Sequence, residues 1–342
     1  MKKITIKDVA REAGVSVTLV SFVMNAKMGA NGRLDCPVNP ETAERVLAVA
    51  KRLGYRRNVA AASLRSGKSN TIAVITTDIS NRFFAGISRY IEDKSVEYGY
   101  TVLFGSSDES VDKLDSVMDT VLAYNIDGVI IAPVPGGETA IRKAIDAKVP
   151  VVLLDRDIDG LEGVGKVLLD DVDAGRQATE LLIGKGYTNI HMISYDLDIS
   201  SISEREEGYK STMSNRGLES HVHNVPYGAS YVIVRDIIQE SLKNGAEAFF
   251  LPTYSLAAST LGALKSLNLH TPEDVAIVAF DESDIYRLGR TSIAHMVQPL
   301  KQLAEKSVEL LHSMIDQNAP ASKIILKSEV VAGESIDRNY KK

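Results

Sequence analysis

The sequence is poor in the residues that staple a chain, hold a metal or anchor it in a lipid bilayer. Among 342 residues there is one cysteine, Cys36, and no tryptophan. A single thiol cannot close an internal disulfide, so Cys36 is expected to be inert. Six histidines occur without CxxC or HExxH spacing, so no metal site and no cofactor is expected. No run of 18 apolar residues is present to make a membrane helix. The opening MKKITIKDVAREAG has two lysines but no apolar stretch behind them, which predicts no secretory leader and a cytoplasmic protein. No GxGxxG or GxxxxGK-S/T lies between a strand and a helix, and no Ser-His-Asp set announces itself. A nucleotide enzyme or triad hydrolase is therefore disfavoured, and the chain is expected not to be an enzyme.

What is present is an uneven charge. Residues 1–70 hold 13 Lys/Arg against 5 Asp/Glu, whereas residues 71–342 hold 26 against 40. A basic end attracts phosphate without regard to sequence, and an acidic remainder discourages the body from lying on nucleic acid.

The basic end reads as a small all-α headpiece over residues 1–56. Thr5 can cap a first helix with Asp8 at its third position, and Gly14 ends it after Ala13. Ser16 can cap a second helix running to about Met24, whose Leu19, Val20 and Val23 pack on Val9, Ala10 and Ala13. Asn39, Pro40 and Glu41 open a third, with Ala43, Val46, Leu47, Ala50 and Leu53 as its apolar stripe and Gly54 as its stop. Two short helices joined by a tight glycine turn, then a longer one, make the helix-turn-helix plan, whose second helix enters the major groove.

The residues themselves, TIKDVAREAGVS, VSFVMN and PETAERVLAVAKRLGYRRN, resemble the DNA-binding headpiece of the lactose-repressor (LacI/GalR) family. That resemblance implies that Val17, Thr18 and Phe22 face base edges and that Thr5, Ser16, Ser21 and Asn25 hold phosphates. Phe22 stands where the family commonly has arginine, and can offer only apolar contact, for example to a thymine methyl. The segment AKMGANGRLDCPVN is longer than the family's usual connection; Gly29, Gly32 and Pro37 suggest an exposed loop. Residues 57–70 resemble the family's hinge helix and linker, with Asn58 as a cap and Leu64 as the minor-groove wedge. Arg57 replaces the usual proline there.

Beyond Ile72 the chain alternates apolar runs with amphipathic helices: IAVIT, TVLFGSS, GVIIAP and PVVLLD, then GKVLLD, NIHMIS, HVHNVPY, AFFLP and VAIVAF. Repeated β–α units predict an α/β body of two doubly wound parallel-sheet lobes, with a ligand cleft at the carboxyl ends of the strands. The pattern starts again at GKVLLD. The expected first lobe is about 71–163 plus 298–323, and the second about 164–297 plus 324–342. This body resembles periplasmic sugar-binding proteins and the effector domains of the same family. The resemblance implies that Asp78, Asn81, Phe83, Phe84, Asp155, Arg156, Arg205, Asp281 and Gln298 line the effector site. Carboxylates and arginine can hold adjacent hydroxyls, and aromatic rings can stack on a pyranose. Thr253 and Tyr254 stand where an Asn-Asp or Asn-Asn pair is usual, Arg82 where proline is common and Gly333 where arginine is. These exchanges suggest an anionic or bulkier sugar.

The expectation is a transcriptional regulator, a repressor in type, that binds a pseudo-palindromic operator as a homodimer and responds to a sugar or sugar derivative. Little chain follows Tyr340, so a tetramerising C-terminal coiled coil is not expected. The alternatives are a purine-type effector, or a transport-type sugar-binding protein, which would need a leader and no basic headpiece.

Overall fold

A computed structural model of the protein describes residues 4–28, 34–55 and 67–340, with backbone alone at Lys27 and Met28. Asn58 and Leu64, and with them the expected hinge helix, lie outside the described residues. The chain divides into two compact units, Met1–Ser69 and Asn70–Lys342.

In the headpiece α1 spans Ile6–Ala13, α2 Val17–Asn25 and α3 Pro40–Leu53. Their ends follow from local chemistry. The Asp8 carboxylate accepts from the Thr5 amide at 3.0 Å and the Thr5 hydroxyl at 2.7 Å. Ser16 Oγ accepts from the Leu19 amide at 3.2 Å, and Asn39 Oδ1 from that of Glu41 at 2.9 Å. Caps of this kind contribute about 1 kcal/mol each. Gly14 and Gly54 close α1 and α3 at φ 67° and 66°, a left-handed turn that glycine makes without steric cost.

The core between these helices is Val9, Ala10, Ala13, Val20, Val23, Ala43, Val46, Val49 and Ala50. Two expectations are corrected here. Leu47 leaves the stripe of α3, 39% exposed, and Val49 takes its place in the core. The loop before α3 is not all loop: β1, Lys27–Met28, pairs antiparallel with β2, Leu34–Asp35, so the headpiece is not purely helical. Alternate residues Leu34, Cys36 and Val38 rest on the core, a two-residue period that a strand sets and a helix does not.

In the body, β3 Thr71–Thr76, β4 Thr101–Ser106, β5 Gly128–Ile131, β6 Val151–Leu154, β7 Gly165–Leu169 and β13 Lys323–Leu326 form one sheet. Its order is β13-β7-β6-β5-β3-β4, with every pairing parallel. The second sheet contains β8 Ile190–Tyr195, β9 His221–Val225, β10 Ala248–Phe250, β11 Ala276–Phe280, β12 Ala294–Val297 and β14 Glu329–Val331. Its order is β14-β12-β11-β10-β8-β9, and only β12 and β14 run antiparallel. Helices cover both faces, so central strands such as β5, β6 and β11 are buried throughout.

The lobe boundary differs from the one read in the sequence. GKVLLD does not open the second lobe: β7 pairs with β6, and β13 lies beside it in the first sheet. The reason is a parallel crossover without a helix. Residues 155–164 return the chain to the same sheet through Gly160 and Gly163, both at φ 74°, and such a crossover leaves no helical period to read. The chain thus passes between the lobes three times, after β7, β12 and β13.

On the outer strands of the second sheet, His191, His221 and His223 meet, with centroids 4.4 and 5.0 Å from the His191 ring. His191 Nδ1 and His223 Nε2 share a proton at 2.8 Å. Burial, then repulsion from His221 and His223, pushes His191 down to about 4. Among the described residues no helix is long and apolar enough to cross a membrane.

Candidate recognition helix and effector cleft

The exposed face of α2 carries the residues singled out for DNA. Val20 and Val23 turn into the headpiece core, which leaves Val17 37% and Phe22 50% exposed on the opposite side, beside exposed Thr18. Phe22 is therefore not consumed by its own domain. Ser21 Oγ accepts from Asn25 Nδ2 at 3.1 Å. Thr5 and Ser16 occupy the N-caps of α1 and α2, where unpaired amides and the helix dipole favour an anion.

The cleft of the body is assembled from strand ends of both lobes. Asp155 follows β6 and Asp281 follows β11, and each takes the left-handed conformation, at φ 68° and 66°. Aspartate tolerates that region better than branched residues do. The two lobes thus end corresponding strands in the same way. Asp281 Oδ2 accepts the Tyr254 amide at 3.0 Å and Oδ1 accepts Gln298 Nε2 at 2.8 Å. Asp155 is 7% exposed, and no hydrogen bond reaches its carboxylate among the described residues; Arg156 Nε stands 3.7 Å away. Burial pushes the Asp155 carboxyl above its ordinary range, Arg156 and Arg205 pull it back, and Asp281 and Glu109 push it further up.

Arg205 is placed by two helices in close contact. A Cβ on Gly175 would lie 2.1 Å from the Arg205 carbonyl oxygen, and one on Gly208 would lie 2.1 Å from that of Val172. Only glycine on both partners lets the helix Ser200–Asn215 press against the helix Asp171–Gly184. Arg205 Nε then donates to Asp171 at 2.6 Å and Nη1 to the Pro252 carbonyl at 2.7 Å, while the guanidinium lies 3.8 Å from the Phe280 ring centroid. Burial pushes the Asp171 carboxyl up, to about 8, against the pull of the Arg205 charge.

Arg156 is held differently. Its Nη1 and Nη2 donate to the two oxygens of Glu109 at 2.9 and 2.8 Å, a bidentate pair. Glu109 is not among the residues read as functional from the sequence; it stands just ahead of the helix Val111–Ala123. The signal was there: Ser110 caps that helix by accepting from the Lys113 amide. The cap leaves Asp108 and Glu109 outside it, both left-handed at φ 50° and 55°.

Other expected residues have local duties. Asp78 accepts from the Ser80 amide and hydroxyl, and Asn81 caps the helix Arg82–Glu97 by accepting from Phe83. Phe84 is core, 3% exposed, whereas Phe83 touches the core and also lines a cavity of about 200 Å³ with Arg82, Tyr254, Asp281 and Gln298. Thr253 caps the helix Tyr254–Leu267. Sequence reading missed an aromatic pair: Tyr195 and Tyr227 lie with centroids 5.2 Å apart, and Tyr227 is close enough to Glu109, Arg156 and Asp78 to sense their charges. At the rim Arg82, of the first lobe, pairs with Asp284, of the second, at 2.8 Å.

Known proteins share these features. The profile described as bacterial regulatory proteins, lacI family, matches residues 5–58, and that of a periplasmic binding protein-like domain matches residues 179–336. Catabolite control protein A of Priestia megaterium is 30% identical over 328 residues, which cover 94% of this chain and 96% of that protein. The solved structure of a LacI family transcriptional regulator from Silicibacter pomeroyi matches with a TM-score of 0.79 at 26% identity, over 98% of this chain and 100% of that one. The lac repressor dimer bound to operator and the anti-inducer ONPF has the same fold, with a TM-score of 0.82 at 21% identity, over 98% and 99% of the two chains. With its basic three-helix headpiece and two-lobed α/β body, this chain belongs to the lacI family of bacterial regulatory proteins, DNA-binding regulators of transcription.

Proposed function

We propose that the protein is a repressor that grips a pseudo-palindromic operator as a homodimer, and that a sugar or sugar derivative in the cleft changes that grip. The observation that carries the reading is the division of α2, which buries Val20 and Val23 and leaves Val17, Thr18 and Phe22 bare on a basic domain. Val17, Thr18 and Phe22 read base edges; Thr5, Ser16, Ser21 and Asn25 fix the helix on the phosphates.

In the cleft, Asp155, Arg205, Asp281 and Gln298 offer acceptors and donors for hydroxyls, and Tyr195 and Tyr227 offer an apolar face. The lac repressor match, with operator and an anti-inducer, supports this two-part reading. Effector and operator are linked by a coupling free energy, typically about 1–3 kcal/mol. The body acts as a receptor rather than an enzyme, and turnover of a cleft ligand would count against that.

Phe22→Ala tests the DNA half. Loss of one base-pair match in a site costs about 1–3 kcal/mol, so specific affinity for a DNA sequence selected by the protein should fall about fivefold or more. The salt dependence of binding should stay unchanged, because no phosphate contact is removed. A steeper or shallower salt slope with sequence preference intact would refute the assignment.

A further inference from the structure

The two cleft arginines stand on segments that are bonded to each other. The Asp157 amide, next in the chain to Arg156, donates to Ser200 Oγ at 2.8 Å. Ser200 is the first residue of the helix that carries Arg205. This bond joins the lobes: Asp157 lies in the helix-free crossover between β6 and β7 of the first sheet, and the helix Ser200–Asn215 follows β8 of the second. Both residues are half-buried.

Each end of the bond is anchored in its own lobe. The Asp157 carboxylate accepts from the Ile158 amide at 2.8 Å, and Lys166 of β7 and, at 3.6 Å, Lys323 of β13 hold it to the first sheet. The helix Ser200–Asn215 packs on Asp171–Gly184 through Gly175 and Gly208. Arg205 also grips Asp171, where the chain leaves β7 for the second lobe. There the Asp170 amide donates to the Leu326 carbonyl at 2.8 Å, which ties the passages after β7 and β13 together. One helix therefore meets the first lobe at Ser200, the cleft at Arg205, and the passages between lobes through Asp171.

The Arg82–Asp284 pair also crosses between the lobes, at 2.8 Å. A long, exposed arginine can follow its partner as the lobes move, and such pairs contribute little. A serine hydroxyl and a backbone amide have no such reach. Beyond about 3.5 Å their bond no longer exists, so it is made at one lobe angle and lost at another.

We propose that Ser200 couples the cleft to the lobe angle: its bond to Asp157 is made in one arrangement of the lobes and broken in the other, and an effector at Arg156 and Arg205 selects between them. Ser200 touches no effector; it is a positioning residue. The inference rests on the sugar-controlled reading and names the residue through which control passes. A ligand shifts an equilibrium only through contacts that differ between its two states, and a net hydrogen bond is worth about three- to tenfold in such an equilibrium.

Ser200→Ala and Ser200→Thr in the full chain test this. Calorimetry gives the affinities for glucose, galactose, mannose, ribose, maltose and lactose. Fluorescence anisotropy then gives the affinity for a DNA sequence selected by the protein, with and without whichever of these binds most tightly. Ser200→Ala should bind that saccharide within about threefold of the unaltered protein, while the factor by which the saccharide changes DNA affinity moves toward one by about three- to tenfold. Ser200→Thr, which keeps the hydroxyl, should restore the factor. An unchanged factor in Ser200→Ala, a loss of saccharide affinity alongside it, or a threonine variant as uncoupled as the alanine one overturns the proposal and leaves the sugar-controlled reading standing. If none of these saccharides binds the folded protein, or the bound one leaves DNA affinity unaltered, both fall.

Discussion

The two lobes each bring one arginine to the cleft, and they restrain it by different means. In the first lobe Arg156 meets a single carboxylate with two parallel bonds, and Asp155 stands by at 3.7 Å. In the second, Arg205 divides its bonds between Asp171 and a carbonyl and rests on an aromatic ring, so Asp171 depends on Arg205 alone among the described residues. A guanidinium with a spare carboxylate tolerates loss of its first partner. A carboxylate with one partner does not. Charge neutralisation is thus local in the first lobe and tied to helix packing in the second, through Gly175 and Gly208.

The largest expected effect tests that difference. Arg205→Ala leaves the buried Asp171 carboxyl and the Pro252 carbonyl without their donor and should cost about 2–5 kcal/mol, a fall in melting temperature on the order of 10 °C for a body of this size. Glu109→Ala leaves Arg156 near Asp155 and should cost clearly less, about 1–2 kcal/mol. Equal losses in thermal melts would erase the distinction between the lobes.

Acid should separate the lobes as well, because His191 belongs to the second. Its folded value of about 4 lies below the usual histidine range, so the native state resists a proton that the unfolded chain accepts. The stability this contributes is complete above about pH 6.5 and is lost as pH falls toward 4, roughly 2–3 kcal/mol in all. Thermal melts across that window should show the loss, and His191→Asn should flatten it; an equally steep His191→Asn profile would place the acid sensitivity elsewhere. The smallest effect concerns Arg82 and Asp284, the ion pair that crosses between the lobes. With both side chains about half exposed or more, Arg82→Ala should change stability by less than about 1 kcal/mol. A larger shift in melting temperature would mean that the rim pair, rather than the buried pairs, governs how the lobes meet.

Much of the fold was legible because it is written in short-range chemistry. Thr5, Gly14, Ser16, Asn39 and Gly54 bound their helices where capping rules place them, and the buried strands are the apolar runs of the body. What escaped depends on contacts remote in sequence. The helix-free crossover after Asp155 hid the true position of Gly165–Leu169, and the ribbon before α3 is held by Leu34, Cys36 and Val38 resting on the core. In the cleft, Asp155, Arg205, Asp281 and Gln298 were named from family resemblance, and the structure brings these four together. Glu109 and Asp171 were not named, because an acid at a helix start reads as a cap. Their pairing with Arg156 and Arg205 spans 47 and 34 residues.

The three passages between lobes also fix an order of events during synthesis. The first sheet lacks its edge strand until Lys323–Leu326 emerges, and its core lacks Leu303, Val308 and Leu311 until the helix Leu300–Gln317 has been made. The second sheet waits for Glu329–Val331. The headpiece closes its own core within the first 55 residues. On the ribosome, where folding proceeds from the N-terminus, a nascent chain can therefore own a finished headpiece well before it owns a finished body.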